Sequence, residues 1–216
     1  MFSMDDKEKI TYSDLFWLFI AASWFGVIIE GLYCLLKFGK WESHVVSIYG
    51  HFCVIYGVGV VFYYVFCNIF KKKNIFLQFV VYAFLGTFVE LVAGIILDYV
   101  LGMRAWSYAN SFLNYRGYIC LFMFIIWGIF GILFEQFIPL IRKGLTITKN
   151  KMFKLILPIF TVFMIFNLTF TSICIYRWSE RHKNIKPSNK LEKYIDKKYD
   201  DEYMSKRFME WYFIDK

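Results

Sequence analysis

The sequence predicts an all-α protein: a polytopic membrane helix bundle of about five transmembrane helices with a folded inter-helix loop and a short amphipathic C-terminal tail. Hydrophobic residues make up 59% of the chain, whereas a soluble domain is usually about 45–50% apolar. They are concentrated in runs of roughly the 20 residues that a helix needs to cross a bilayer. The five runs are 14–36, 45–69, 75–101, 118–141 and 153–176.

Polar segments divide the chain into three expected parts. Residues 1–13 form a polar lead, residues 14–176 form the transmembrane domain, and residues 177–216 form a charged tail. The first run has no small-residue cleavage site, so we expect it to be retained as a helix. The tail carries apolar residues at helical spacing, which predicts short amphipathic helices on the membrane surface or against the spans.

The connection 102–117 is too polar to span a membrane, yet it is rich in aromatic residues. It contains Trp106, Tyr108, Phe112 and Tyr115. Such rings favour burial or the edge of a membrane. We therefore expect this loop to be folded and packed on the mouth of the bundle.

The distribution of basic residues favours a cell-membrane, multi-pass protein with its N-terminus in the cytoplasm. Loops on the N-terminal side, such as 71–73 and 142–154, carry more Lys and Arg than the connections on the other side. Positive charge is enriched on the cytoplasmic side of membranes. The basic tail weakens this argument, because five spans would place it outside. The net charge of +8 fits such loops, and we expect no nucleic-acid partner.

Three glutamates, Glu30, Glu90 and Glu135, interrupt the apolar runs. A charge at the centre of a membrane helix costs roughly 2.5–3.5 kcal/mol on insertion scales, so it usually faces the bundle interior. Each glutamate shares a helix face with small residues, as Glu30 does with Gly26. Because small residues mark close helix contacts, we expect the carboxylates to face other helices. Glu135 lies near a membrane surface, where solvent or Arg142 would balance it.

Glu30 and Glu90 fall at similar depths in two spans that run in the same direction, near the connection 102–117. This arrangement predicts a polar pocket for a ligand or an ion in one half of the membrane. An alternative is structural: the two glutamates pair with Arg104 or Arg116 and hold the loop down. The expected pocket residues are Glu30, His51, Tyr56, Glu90, Arg104, Trp106, Tyr108, Asn114 and Arg116.

Other motifs are missing from the sequence. It has no G-x-x-x-x-G-K-[ST] phosphate loop, so the chain is not expected to hydrolyse ATP in the usual way. It has neither H-E-x-x-H nor G-x-S-x-G, and we expect no catalytic residues. The five cysteines form no C-x-x-C pair and show no metal-ligand spacing, so we expect no metal site and no cofactor.

The string at 50–59 reads GHFCVIYGVG. It resembles the signature G-P-x-C-P-I-Y-G-x-G of a bacterial membrane family, the CmpB-like type IV ABC-transporter permeases. The resemblance extends over about residues 14–210. Its other elements are Gly26-x-x-x-Glu30, Glu90, Trp106-Ser107-Tyr108, the stretch 114–120 (NYRGYIC), and Arg177, Arg181, Leu191 and Asp196 in the tail.

The chain departs from the family pattern at three positions. His51 and Val54 replace prolines, and Ser107 replaces an aspartate. Loss of the prolines predicts a second span that is straighter at its start. Loss of the aspartate removes an acidic group from the loop and predicts altered activity if that group binds a ligand.

Three functions fit these observations. The resemblance implies a permease component of a transporter, with the lipid bilayer, a separate ATP-binding subunit and further copies of the chain as partners. A membrane scaffold or regulatory protein would use the same glycine stripes and aromatic tail to bind another membrane protein. The third hypothesis, a membrane-embedded enzyme that acts on a lipid, is supported only by the presence of Glu30, Glu90 and His51.

Overall fold

The computed structural model describes residues 9–42 and 44–214, so residues 1–8 of the expected polar lead lie outside the described part. The helices of the bundle are α1 (Tyr12–Phe38), α2 (Val54–Phe70), α3 (Ile75–Ile95), α4 (Leu121–Ile147) and α5 (Lys151–His182). A π-helical turn, Ile96–Leu101, continues α3. Four segments are long and apolar enough to cross a membrane, and α2 is a shorter apolar helix. The all-α membrane bundle is therefore confirmed.

Helix α1 has well-defined ends. The Thr11 hydroxyl accepts from the Asp14 backbone N–H, and the Asp14 carboxylate accepts from the Thr11 backbone N–H. This reciprocal capping box satisfies amide groups that a helix start leaves open. Gly39, at φ +71°, ends the helix in a left-handed conformation that glycine adopts without strain.

Glycines allow aromatic rings to reach the backbone of the neighbouring helix, and this contact holds α3 against α4. A Cβ atom added at Gly86 would lie 2.5 Å from the Trp127 ring, and one added at Gly131 would lie 2.3 Å from Tyr82 Cβ. Close approach at small residues is the main source of helix association in lipid. The glycine stripes in the sequence therefore correspond to real helix contacts.

The second apolar run differs from the expected span 45–69, because its helix begins only at Val54. Residues 44–53 are not helical and pack between α1 and α5. The Tyr49 backbone binds the Asn167 side chain through both its N–H and its carbonyl, and the Ile48 N–H donates to Thr171 Oγ1 at 2.8 Å. Of the two positions where the family has prolines, His51 lies in this non-helical segment and Val54 is the first residue of the helix.

Three further hydrogen bonds pair other backbone groups of this segment. The Cys53 N–H donates to the carbonyl of Ser23, in the middle of α1, at 2.8 Å. The Arg207 guanidinium donates to the carbonyls of Ser47 and Gly50. Non-helical backbone is tolerated at membrane depth only where protein or water satisfies its polar groups, and here the protein does so.

The tail forms two short helices, α6 (Lys190–Lys198) and α7 (Asp201–Arg207), which pack on the end of α5. A two-residue strand, β2 (Tyr212–Phe213), pairs antiparallel with β1 (Met103–Arg104) in the loop after α3. We call this end of the bundle the cap side. Its apolar core contains Ile48, Met103, Cys174, Ile175, Trp178, Ile195, Tyr199, Met204 and Phe208.

A buried arginine joins the tail to α5. Arg177 is 2% exposed, and its guanidinium donates to both carboxylate oxygens of Asp196 at 2.9 Å. It also reaches Glu180 at 3.0 Å and the carbonyl of Ile185 at 3.0 Å. These hydrogen bonds hold the pKa of Asp196 below its usual range. Such a bidentate, charge-assisted contact is strong and geometrically specific.

Matched glycine substitutions in α4 test the glycine–aromatic packing. Gly131→Ala is expected to destabilise the protein by about 1–3 kcal/mol, because its methyl group overlaps Tyr82. Gly144→Ala lies in the same helix with open space around it, and it is expected to be neutral or stabilising by up to about 1 kcal/mol. Apparent melting temperatures in one detergent measure both, and equal shifts would contradict the packing.

Removal of the buried guanidinium tests the attachment of the tail. Arg177→Ala removes the partner that Asp196 and Glu180 share, while Arg181 still contacts Asp196 at 2.9 Å, and we expect a loss of about 1–3 kcal/mol. Lys206→Ala is the control, because its ion pair with Glu202 is about three-quarters exposed and contributes less than about 1 kcal/mol. Protease sensitivity of the tail should rise in the first variant only.

Candidate functional site

The first glutamate of the predicted pocket, Glu30, pairs with Tyr56 of α2. The Tyr56 hydroxyl donates to Glu30 Oε1. Gly26, one turn earlier in α1, makes room for this contact, since a Cβ there would lie 2.6 Å from the Tyr56 ring. With glycine one turn before Glu30, the Tyr56 ring can pack against α1, and its hydroxyl then reaches the Glu30 carboxylate.

The second glutamate, Glu90, pairs with Tyr108 of the loop after α3. Glu90 is 6% exposed, and the Tyr108 hydroxyl donates to its Oε1 at 2.8 Å. The Tyr108 backbone N–H donates to the carbonyl of Gly117 at 2.8 Å, which fixes the ring over the bundle. Burial raises the pKa of Tyr108, and the charges of Glu90 and, more weakly, Glu30 raise it further.

Two further buried polar atoms lie beside the Glu90–Tyr108 pair, Glu90 Oε2 and the indole nitrogen of Trp127. The Trp127 indole N–H faces the Glu90 carboxylate, which also accepts from the Tyr108 hydroxyl. The buried carboxylate is therefore solvated by two neutral donors. Because neutral donors leave its negative charge in place, it can still attract a cation.

The loop arginines do not pair with the glutamates, so the structural alternative of a Glu–Arg contact is wrong. Arg104 instead lies 3.2 Å from Asp98, and its guanidinium stacks over the Tyr118 ring at 5.1 Å. The Tyr118 hydroxyl also donates to Asp98 at 2.7 Å. Arg116 donates to the hydroxyl of Tyr99.

Asp98 is a functional candidate that the sequence analysis missed. It is 6% exposed and joins Arg104 to Tyr118. The sequence could have indicated it, because Asp98 is an acidic residue at the end of the third apolar run and the loop that follows contains arginines. Asp98 supports the loop that carries Tyr108 and so positions the Glu90–Tyr108 pair.

Three other predicted residues have different surroundings. Trp106 donates its indole N–H to the Tyr118 carbonyl at 2.9 Å. Asn114 binds the carbonyls of Ala109 and Ser111 and accepts from the Gly117 N–H, which shapes the loop internally. His51 is exposed on the segment before α2 and does not reach either Tyr–Glu pair within the described residues.

Glu135 forms a third tyrosine–glutamate contact, away from the cap side. It accepts from the Tyr82 hydroxyl at 2.8 Å and lies 3.5 Å from the Gln78 amide. Arg142, which the sequence suggested as its partner, donates to Asn68 instead. Glu135 therefore provides a natural comparison for the two pairs on the cap side.

Two hollows in the described part of the bundle are small. One, beside Gly94, Arg104 and Trp106, has no room for a water molecule. The other, at the opposite end between Asp14 and Arg142, holds about 10 Å³, which is close to the volume that one water needs. Neither Glu30 nor Glu90 lines either hollow.

A double-mutant cycle tests the Glu90–Tyr108 contact. We expect Tyr108→Phe and Glu90→Gln to interact by about 0.5–3 kcal/mol, because the first removes the donor of a buried hydrogen bond and the second replaces its charged acceptor with a neutral one. Pairing Tyr108→Phe with Glu135→Gln is the control. Glu135 contacts Tyr82, about 12 Å along α3 from Glu90, so those effects should add within about 0.5 kcal/mol. Denaturation of all variants in one detergent gives both coupling energies.

Comparison with known protein families matches the segment that contains both tyrosine–glutamate pairs. A family model described as "Putative ABC-transporter type IV" matches residues 17–172, which is more than half of the 216-residue chain. No curated protein and no solved structure matches the chain. The protein therefore belongs to the type IV ABC-transporter (CmpB-like) family of multi-pass membrane proteins.

Proposed function

We propose that this chain is a permease component of a cell-membrane transporter that works with a separate ATP-binding subunit. In this proposal the Glu30–Tyr56 and Glu90–Tyr108 pairs form the polar part of its substrate or ion site. The observation that carries it is the buried Glu90 carboxylate, which accepts from the neutral Tyr108 hydroxyl of a loop and has no ion pair among the described residues. A charge retained at such cost inside a membrane domain marks function more often than not.

The chemistry of the site favours a cation or an amine-bearing substrate. Two carboxylates and two phenol oxygens lie on the cap side, whereas Arg104 is engaged by Asp98. Carboxylate and phenol oxygens accept hydrogen bonds and bind cations, and they repel anions. Tyr108 sits on the loop, so movement of that loop would open the site towards the cap side.

The transport pathway requires more than one polypeptide. Two hollows of the described bundle are too small for a ligand, and its outer surface exposes many large apolar side chains, including Phe84, Phe88 and Phe122. A homo-oligomer would build a pathway between copies. The chain has no phosphate loop, so ATP hydrolysis belongs to a partner, for which the lysines at 71–73 and 149–154 on the N-terminal side offer a basic docking face.

A non-transporting scaffold is the second candidate, and the close packing of the bundle favours it. Aromatic rings fill the positions opposite Gly26, Gly86 and Gly131. A scaffold needs such rigid contacts and no internal site. The two functions differ in what they require of Glu30 and Glu90.

Charge-removing substitutions separate the two. Glu30→Gln and Glu90→Gln keep the shape of the side chain and its ability to accept from tyrosine, but they remove the negative charge. We expect each to lower ATP hydrolysis by the membrane complex purified through this chain at least tenfold, with unchanged assembly. Glu135→Gln, which also loses a tyrosine-bonded carboxylate, is the matched control and should retain activity.

The scaffold function predicts a different result. All three variants would then assemble and hydrolyse ATP like the wild-type complex. If Glu30→Gln and Glu90→Gln instead lose assembly while Glu135→Gln keeps it, the two glutamates act in folding and the transport site is wrong.

A further inference from the structure

Three residues with metal-binding side chains converge at the cap-side end of α1. Cys34 lies in the last turns of the helix, and Glu42 and His44 lie in the connection that follows it. One ligand atom from each lies within 4.8 Å of the other two. None of these residues belongs to the Glu30–Tyr56 or Glu90–Tyr108 pair.

The local fold explains why they meet. Gly39 ends α1 in a left-handed turn, which reverses the chain. The Trp41 ring then packs on Gly31, where a Cβ would lie only 2.3 Å from it. This contact draws the connection back along α1 and brings it to Cys34, three residues after Gly31 on the same helix face.

The distances suit a tetrahedral ion. Cys34 Sγ lies 3.2 Å from His44 Nε2. Zinc–sulfur and zinc–nitrogen bonds of about 2.3 and 2.0–2.1 Å, at a tetrahedral angle, separate the two ligand atoms by roughly 3.6 Å. The Cys34 sulfur and the His44 nitrogen therefore need to move apart by only a few tenths of an ångström for the ion to bind both. Cys34 is 2% exposed, whereas the Glu42 side chain is 24% exposed and leaves an entry path.

A second carboxylate, that of Glu210, contacts the other ring nitrogen of His44. His44 Nδ1 contacts Glu210 Oε2, and the two side chains are 20% and 17% exposed. Metal-bound histidines almost always donate their other ring N–H to a carboxylate, carbonyl or water. Glu210 therefore fixes the ring and leaves Nε2 aimed at Cys34. This is the independent observation that distinguishes the cluster from a chance grouping.

We propose that Cys34, Glu42 and His44 form a binding site for a divalent transition-metal ion of the zinc class, with Glu210 as the outer partner of His44. Thiolate, imidazole and carboxylate together select zinc-like ions over Mg²⁺ and Ca²⁺, which prefer oxygen ligands alone. Binding releases the Cys34 thiol proton to solvent. Lys40, 2.6 Å from Glu42 and 68% exposed, has to swing away.

Three protein ligands leave a fourth position for water or a substrate group. The site also joins three separate parts of the chain: the end of α1, the connection before α2, and the tail through Glu210. Metal binding is therefore expected to stabilise the docked tail. The proposal is independent of the transport function, because it uses other residues and a different chemistry.

Cobalt and zinc binding to the full-length protein in detergent test the site. After chelator treatment, we expect about one equivalent of Co²⁺ to give a near-ultraviolet thiolate charge-transfer band and the visible bands of a tetrahedral ion. Zn²⁺ should abolish both, and Mg²⁺ should not. Cys34→Ser should remove the charge-transfer band, and His44→Ala should weaken binding at least tenfold. Glu210→Gln should weaken it by about 10–100-fold and keep the stoichiometry.

Cys67→Ser is the matched control. Cys67 is also buried, but it lies near the C-terminal end of α2, away from the cap side. It should bind Co²⁺ like wild type. A wild-type spectrum without the charge-transfer band would overturn the proposal without reference to any variant. So would equal Co²⁺ or Zn²⁺ binding by wild type and Cys34→Ser, which would indicate adventitious binding elsewhere.

Discussion

Satisfaction of backbone polar groups inside the protein is the constraint on which this structure depends. In hydrocarbon an unpaired N–H or carbonyl costs several kcal/mol, so a chain that leaves the helical conformation needs partners. Residues 44–53 are such a chain, and Asn167, Thr171 and the Ser23 carbonyl supply those partners. Asn167 is fully buried in α5. A buried amide side chain is costly unless it is hydrogen-bonded, and here the backbone of Tyr49 pairs with it.

The same constraint shapes the polar side chains. Glu30, Glu90 and Glu135 each accept a hydrogen bond from a tyrosine on another segment. A tyrosine suits this position because its ring packs like an apolar residue while its hydroxyl solvates the carboxylate. Glycines make two of these contacts possible, because Gly26 admits the Tyr56 ring and Gly131 admits the Tyr82 ring. Among the described residues these glutamates have no ion pair, which distinguishes them from the Arg177–Asp196 contact that fixes the tail.

The sequence predicted the parts of this structure that rest on hydropathy and local spacing. Long apolar runs gave the bundle, and a charge in such a run identified Glu30 and Glu90. Hydropathy cannot separate a membrane helix from a buried extended chain, so the segment before Val54 was merged with α2. Asp98 and the Cys34–Glu42–His44 cluster were missed for a related reason. Their partners are distant in the chain or reached through a turn, and no helical spacing encodes them.

Purification of the tagged chain from its own membranes in mild detergent tests the central claim most directly, because transport requires a source of energy that this chain lacks. Mass spectrometry of the stable complex should identify an ATP-binding subunit in stoichiometric amount with this protein. A different membrane partner, or this protein alone in a stable preparation, would contradict the account of it as a permease component.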